Sequence, residues 1–306
     1  MLAALKRVAW RASGSRGFQF PVDSVEYSEV MPVVDARGWA PGVAVTMELV
    51  MLAISVASGS NGNCIYVEAG GLRLLIDAGI SGSQAAERLA LRGRDIRKVD
   101  ALLVTHDHGD HSRSVGIFQR MFGMPIHITP RTLETATKRH RLGRMSDIRY
   151  FQSGGAIDLG DVRVETIPTP HDSADSVGFV IDDGERRLGI LTDLGHVFPL
   201  LPKTLATLDA VFLESNYDPE MLDNGPYPQF LKHRVRGPEG HISNLDAAEL
   251  TDSIRSTRLQ WVCLAHLSQQ NNTPEVAMAT HRAVRGPDAE LHLASRYEVG
   301  EELHVA

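Results

Sequence analysis

From residue 49 onward, apolar positions come in short runs broken by glycine, proline, serine and asparagine. Residues 49–57 and 63–68 read as strands on either side of the turn-rich Ser58-Gly-Ser-Asn-Gly62, and Gly70-Gly71 separates them from a third strand over 72–77. Strands this closely spaced predict an antiparallel meander. Residues 83–92 place Ala85, Leu89 and Ala90 at helical spacing and stop at Gly93. Residues 101–105 form an apolar run of the buried-strand type. Helices over 115–122 and 130–140 then flank a strand over 126–129, the second helix opening on Pro130. Further strands are expected at 162–167, 177–181, 187–191, 210–214 and 262–265, with helices over 245–256 and from Thr273-Pro274 to about 284. No internal repeat is visible. Early strands followed by strands interleaved with helices predict two sheets covered by helices, a layered α/β architecture.

Residues 1–46 lie outside this pattern. Lys6, Arg7, Arg11 and Arg16 precede the first acid, Asp23, as in a transit peptide. Arginine far outnumbers lysine throughout, so this carries little weight. The expectation is a poorly ordered extension, or a start upstream of the true one at Met47 or Met51, followed by a single domain over 47–306. The longest apolar stretch, 42–58, contains Glu48, which costs roughly 2.5–3.5 kcal/mol inside a membrane, and no membrane span is expected.

Composition narrows the class. At 43% hydrophobic and 23% charged residues, the chain is no collagen, disordered chain or disulfide scaffold. A formal charge of −7 supplies no global basic field. Cys64 and Cys263 read as two buried thiols, and the chain lacks a convincing secretion signal, so a cytoplasmic location is expected. Without a Cys-x-x-Cys pair, any metal must be held by histidine and carboxylate.

The candidate chemistry sits at strand ends. Thr105-His106-Asp107-His108-Gly109-Asp110-His111 directly follows a buried strand. Neutral imidazoles and hard carboxylates suit Zn, Mn or Fe, and pooling them is useful only around a cation. His171, Asp193 and His266 each follow another expected strand. One such residue is usually a satisfied polar side chain; three in addition to the first string reverse that reading.

With these residues in view, the chain resembles the metallo-β-lactamase fold, whose metal signature is H-x-H-x-D-H followed by a distal His, Asp and His. Ser58-Gly-Ser-Asn-Gly-Asn-Cys64 and Asp77-Ala-Gly79 are similar to the N-terminal strands of that fold. Leu213-Glu-Ser-Asn-Tyr-Asp218, Gly240-His-Ile-Ser-Asn244 and His266-Leu-Ser-Gln-Gln-Asn-Asn272 resemble its YycJ/WalJ-like, exonuclease-like branch. The resemblance covers about residues 51–306 and implies an αββα four-layer sandwich. It also implies two divalent metal ions, Zn or Mn: one on His106, His108 and His171, the other on Asp110, His111 and His266, with Asp193 bridging.

The implied activity is DNA phosphodiester hydrolysis through a hydroxide bridging the metals, with Asp110 and Asp193 in the catalytic centre. Glu214 and His241 are expected to assist proton transfer, as in transfer-RNA-processing relatives; the histidine that precedes the Glu there is Leu213 here. His196 is a weaker supporting candidate. His127, His140, His233, His281, His292 and His304 have no partner pattern and read as surface or filler. Two basic groups, Lys138 to Arg149 and Lys232-Arg234-Arg236, are the candidate phosphate contacts. The alternatives are a small-molecule hydrolase of the same fold (thioesterase, lactonase or cyclic phosphodiesterase) and a non-catalytic metal-binding regulator.

Overall fold

The computed structural model describes residues 51–254 and 258–306. The expectations for residues 1–46, for the first two residues of the 49–57 strand and for the end of the 245–256 helix fall outside the described residues. The strands are β1 (Met51–Ala57), β2 (Cys64–Ala69), β3 (Leu72–Ile76), β4 (Ala101–Leu103), β5 (Ile126–Ile128), β6 (Ile148–Tyr150), β7 (Ala156–Leu159), β8 (Val162–Pro168), β9 (Val177–Asp182), β10 (Arg187–Leu191), β11 (Ala210–Glu214), β12 (Trp261–Ala265), β13 (Leu291–Leu293) and β14 (Leu303–Val305). They form two seven-stranded sheets, β14-β1-β2-β3-β4-β5-β6 and β13-β12-β11-β10-β9-β8-β7.

The sheets share one plan. In the first, the pairings from β14 to β3 are antiparallel and those from β3 to β6 parallel. In the second, β7 to β10 pair antiparallel and β10 to β13 parallel. The sequence carries no trace of this internal likeness, because a sheet plan is set by pairing order rather than by residue identity.

Alternation along the strands builds the layers. Met51, Ala53, Leu74 and Ile76 of the first sheet meet Phe179, Ile181, Leu188, Ile190 and Phe212 of the second in a central core. Their neighbours Leu52, Ile54 and Leu75 point the other way, under α1 (Gly82–Ala90) and α3 (Val115–Phe122). Val211 and Leu213 likewise face α5 (Leu201–Leu205), α8 (Asn244–Ile254) and α9 (Pro274–Arg285). Each of the larger side chains removed from water contributes roughly 1.5–3 kcal/mol. The remaining helices are the short α2 (Gly109–Ser112), α4 (Pro130–Arg139), α6 (Pro219–Asn224) and α7 (Gln229–Arg236). The result is the expected helix–sheet–sheet–helix sandwich. Cys64 and Cys263 are free and buried. Among the described residues, no helix is long and apolar enough to cross a membrane.

Candidate metal centre

Both sheets send the C-terminal ends of their strands to one edge. Beyond β4 the chain passes through Thr105 to His106 and His108, and the first turn of α2 carries Asp110 and His111. His171 follows β8, Asp193 follows β10, Glu214 ends β11 and His266 follows β12. His241 lies between α7 and α8. Asp77, Asp193 and His266 hold left-handed backbone, with φ of 65°, 58° and 55°. Such a conformation costs a non-glycine residue about 1–3 kcal/mol and marks a position fixed by its surroundings. Gly79 answers a closer constraint: a Cβ there would lie 1.6 Å from the Asp110 carbonyl oxygen. Its absence lets the loop 106–111 close against the end of β3, where Ala78 N donates to His111 O and Asn63 N to Asp110 O, both at 2.7 Å.

The convergence is tight. Donor atoms of His106, His108 and His171 lie within 4.8 Å of one another, as do those of Asp110, His111 and His266. Asp193 stands between the two triads. Its Oδ1 is 3.6 Å from His171 Nε2 and 3.6 Å from His266 Nε2, and its Oδ2 is 3.3 Å from His111 Nε2.

Each imidazole is held from behind. His106 Nδ1 is 3.0 Å from Thr105 Oγ1, His111 Nδ1 2.7 Å from Asp77 Oδ2, and His171 Nδ1 2.9 Å from Gly240 O. His108 is turned over, its Nε2 lying 3.2 Å from Asp172 O and its Nδ1 3.2 Å from His171 Nε2. His266 Nδ1 is 3.6 Å from Glu214 Oε1 and 3.2 Å from Asn216 Nδ2. The opposite nitrogens point inward. His106 Nε2 and Asp193 Oδ2 are buried without a hydrogen-bond partner. A buried polar atom left unpaired costs about 1–3 kcal/mol, and a divalent cation removes that cost. The nitrogen and oxygen donors therefore fit the implied metal pair. Asp77→Asn is expected to weaken metal affinity about 10–100-fold, read by competition with a chelating dye. Unchanged affinity would show that His111 is not held as a ligand.

The charge pattern differs between the two triads. Burial drives the His106, His108 and His171 imidazoles below their ordinary range, towards the neutral form that ligation requires. Burial also opposes charge on His111 and His266, but Asp193 and Asp110 outweigh it, holding His111 well up and His266 up to about 10. Burial would raise the Asp110 and Asp193 carboxyls, yet His111 and His266 keep both well down.

Glu214 is fully buried. Its Oε2 accepts from Leu194 N at 2.9 Å and its Oε1 lies 2.5 Å from His241 Nδ1. Burial acts to raise its pKa, but His241 brings it down to about 2. Both residues singled out for proton transfer thus join the centre. His196 does not: it is exposed and its Nδ1 faces Pro238 O at 2.8 Å, because Gly195 (φ 66°) turns the chain away from Asp193.

Several contributors carried no role in the sequence reading. Asp77 and Asn216 lie inside quoted motifs, which was the available signal. Asp107, between His106 and His108, is buried and accepts from Arg139 and from Ala174 N, tying the loop down. Beneath the site, Ser215 Oγ donates to Asn244 Oδ1 at 2.7 Å, and Asn272 Nδ2 donates to the carbonyls of Ser215 and Asn216 at 2.9 and 3.0 Å.

His281, read as filler, has a partner after all: its Nε2 is 3.2 Å from Ser215 Oγ. Burial, reinforced by Arg285, lowers its pKa to about 4. The unfolded chain takes up this proton near pH 6.5 and the folded one only near pH 4, so stability is full above pH 6.5 and falls as pH drops between them. Wild type should lose about 2 kcal/mol more than His281→Gln between pH 7.5 and pH 5 in urea melts. Parallel losses would contradict this.

The basic groups resolve unequally. Arg139 pairs with Asp107, Lys138 with Glu134, Arg149 with Asp147 and Arg236 with Asp223. Lys232 is buried against Asp223 O. Arg234 alone of these lines the cavity over the metal centre.

A sheet sandwich of this order, with such a centre at one edge, is the arrangement of a known superfamily. The family model for the metallo-beta-lactamase superfamily matches residues 57–250, and the chain belongs to that superfamily. It is 33% identical over 227 residues to the exodeoxyribonuclease WalJ of Streptococcus pneumoniae serotype 2, covering 74% of this chain and 84% of that one. It is also 33% identical over 224 residues to the exodeoxyribonuclease YycJ of Bacillus anthracis, covering 72% and 84%. Among solved structures, the metallo-beta-lactamase fold protein YhfI of Bacillus subtilis aligns with a TM-score of 0.64 at 16% identity, over 83% of this chain and 99% of that one. Human short-form tRNase Z aligns with a TM-score of 0.58 at 17% identity, over 82% and 99%. The branch resemblance seen in the sequence is borne out by the first two, and the fold by the others.

Proposed function

We propose that the chain is a dinuclear-metal phosphodiesterase that removes nucleotides from DNA ends. The observation that carries this reading is the convergence of His106, His108, Asp110, His111, His171, Asp193 and His266 on one cavity edge, with His106 Nε2 and Asp193 Oδ2 buried there without a hydrogen-bond partner. Relatives named exodeoxyribonucleases, alike over 84% of their length, support DNA as the substrate.

His106, His108 and His171 would hold one ion and Asp110, His111 and His266 the other, with Asp193 between; zinc and manganese both suit these donors. When bound, such a pair supplies Lewis acidity at a phosphoryl oxygen and lowers the pKa of water towards about 7. His241 is fixed through Nδ1 by Glu214 and lines the cavity, so its Nε2 donates a proton to the leaving oxygen. Glu214 sets the tautomer and ring orientation. A mere metal carrier has no use for this pair, which weighs against the regulatory reading. We place the protein in the cytoplasm, where thiols such as Cys64 and Cys263 stay reduced.

The cavity, about 200 Å³, gives the small-molecule reading its one supporting observation. It is below the roughly 300–1,000 Å³ of typical ligand sites and admits a chain end or a small ester. Metal-loaded protein incubated with 5′- and 3′-labelled single- and double-stranded DNA and RNA, alongside a thioester, separates the two. Stepwise shortening of DNA from one end is expected. Hydrolysis of the thioester alone would overturn the nuclease reading.

A further inference from the structure

We propose that the segment from Tyr227 through α7 seats the unpaired terminal nucleotide of the strand being cut, Tyr227 and Phe230 stacking on bases and Arg234 gripping the neighbouring phosphate. This rests on the phosphodiesterase reading and names the substrate form that the site takes: a single-stranded or frayed end.

The cavity has two unlike walls. One carries the metal-centre residues His108, His171, Asp193 and His266; the other is Tyr227, Leu231, Arg234 and Val235. α7 buries only Lys232, and its Phe230 is 74% exposed. Phe230 and Arg234 are four positions apart, so the two share a helix face one turn from each other. Phe230 is not on the cavity wall, but an aromatic side chain held in water one helical turn from the cavity-lining Arg234 is matched by a nucleobase, since every base offers a face to stack on. Tyr227, just before the helix, adds a second ring on the cavity wall itself.

Arg234 supplies the charge. Its Nε lies 2.5 Å from Asp172 Oδ2, and among the described residues its terminal nitrogens have no hydrogen-bond partner. The side chain is 58% exposed, so these nitrogens are open to a phosphate. Lys232 and Arg236 on the same helix are already committed to Asp223. Asp172 also links this grip to the centre, because its carbonyl is the group against which His108 Nε2 is set. Cationic charge at this point meets a polyanion that a chain of net charge −7 would otherwise repel.

The test uses metal-loaded full-length protein and single-stranded oligodeoxynucleotides ending either in normal nucleotides or in abasic ones. The Tyr227→Ala/Phe230→Ala double variant is expected to raise KM on normal ends roughly ten- to a hundred-fold, with metal content unchanged. Phe230→Trp should retain wild-type KM. On abasic ends wild type should already show the raised KM, and the double variant should add nothing. Arg234→Gln should reduce the slope of log affinity against log salt by about 0.7. Equal loss on normal and abasic ends, or no loss on normal ends, would overturn the seat while leaving the phosphodiesterase standing. A wild type that cuts no DNA at all would overturn both.

Discussion

Asp193→Asn is expected to lower the divalent metal content from two ions per chain to one or none, and to cut phosphodiester hydrolysis by more than about 10³-fold. The carboxylate stands within 3.6 Å of donor nitrogens from both triads, and among the described residues no other carboxylate has such contacts to both. Loss of a supporting partner behind a ligand costs about 10–100-fold, so loss of the shared ligand must exceed that. Asparagine keeps the shape and tolerates the left-handed backbone at this position, which limits any effect on folding. Plasma mass spectrometry of the purified variant, beside its rate on a DNA substrate, reads both parts. A full complement of metal with activity within ten-fold of wild type would remove Asp193 from the centre.

The second large effect is expected at His241. His241→Ala should reduce turnover by about 10²–10⁴-fold, the usual contribution of a positioned proton donor, while both metals stay bound. Glu214→Gln should cost nearly as much, and the double variant little more than either alone, because the carboxylate acts through the ring it orients. The geometry also contains the rival outcome. Asp193, Glu214, His241 and His266 place donor atoms within 4.8 Å of one another and can themselves hold a cation. Metal lost on His241→Ala would make His241 a ligand. Fully additive single and double variants would show that Glu214 does not act through it.

Much of this cluster was legible in the residue string because its side chains come in a pattern suited to metal chemistry. His106, His108, Asp110 and His111 are packed behind one buried strand, and His171, Asp193 and His266 follow others. The layers were legible too, since the strand and helix periods differ. What escaped notice was short or relational. β6, β13 and β14 are three residues each, and Ile-Arg-Tyr or Leu-His-Leu carries no period of its own. They exist because a neighbouring strand offers its edge, as β1 does to β14. The helices α6 and α7 carried no expectation: they are only six and eight residues long, too short for a clear helical period.

Supporting residues escaped for a similar reason. Asp77 is 34 positions from His111, and nothing local signals that its carboxylate will meet that ring. Asn216 and Asn272 stood in motifs whose purpose appears only when the buried hydrogen bonds of Ser215 and Asn244 are seen together. Charge clusters misled for the opposite reason: Lys138, Arg139 and Arg149 looked available, but each already has an acidic partner.

The most direct measurement is anomalous diffraction from crystals of the protein grown with zinc or manganese. Two peaks should appear, one among His106, His108 and His171 and one among Asp110, His111 and His266, with Asp193 reaching both. A single peak, or peaks elsewhere with these side chains paired only to one another, would contradict the account.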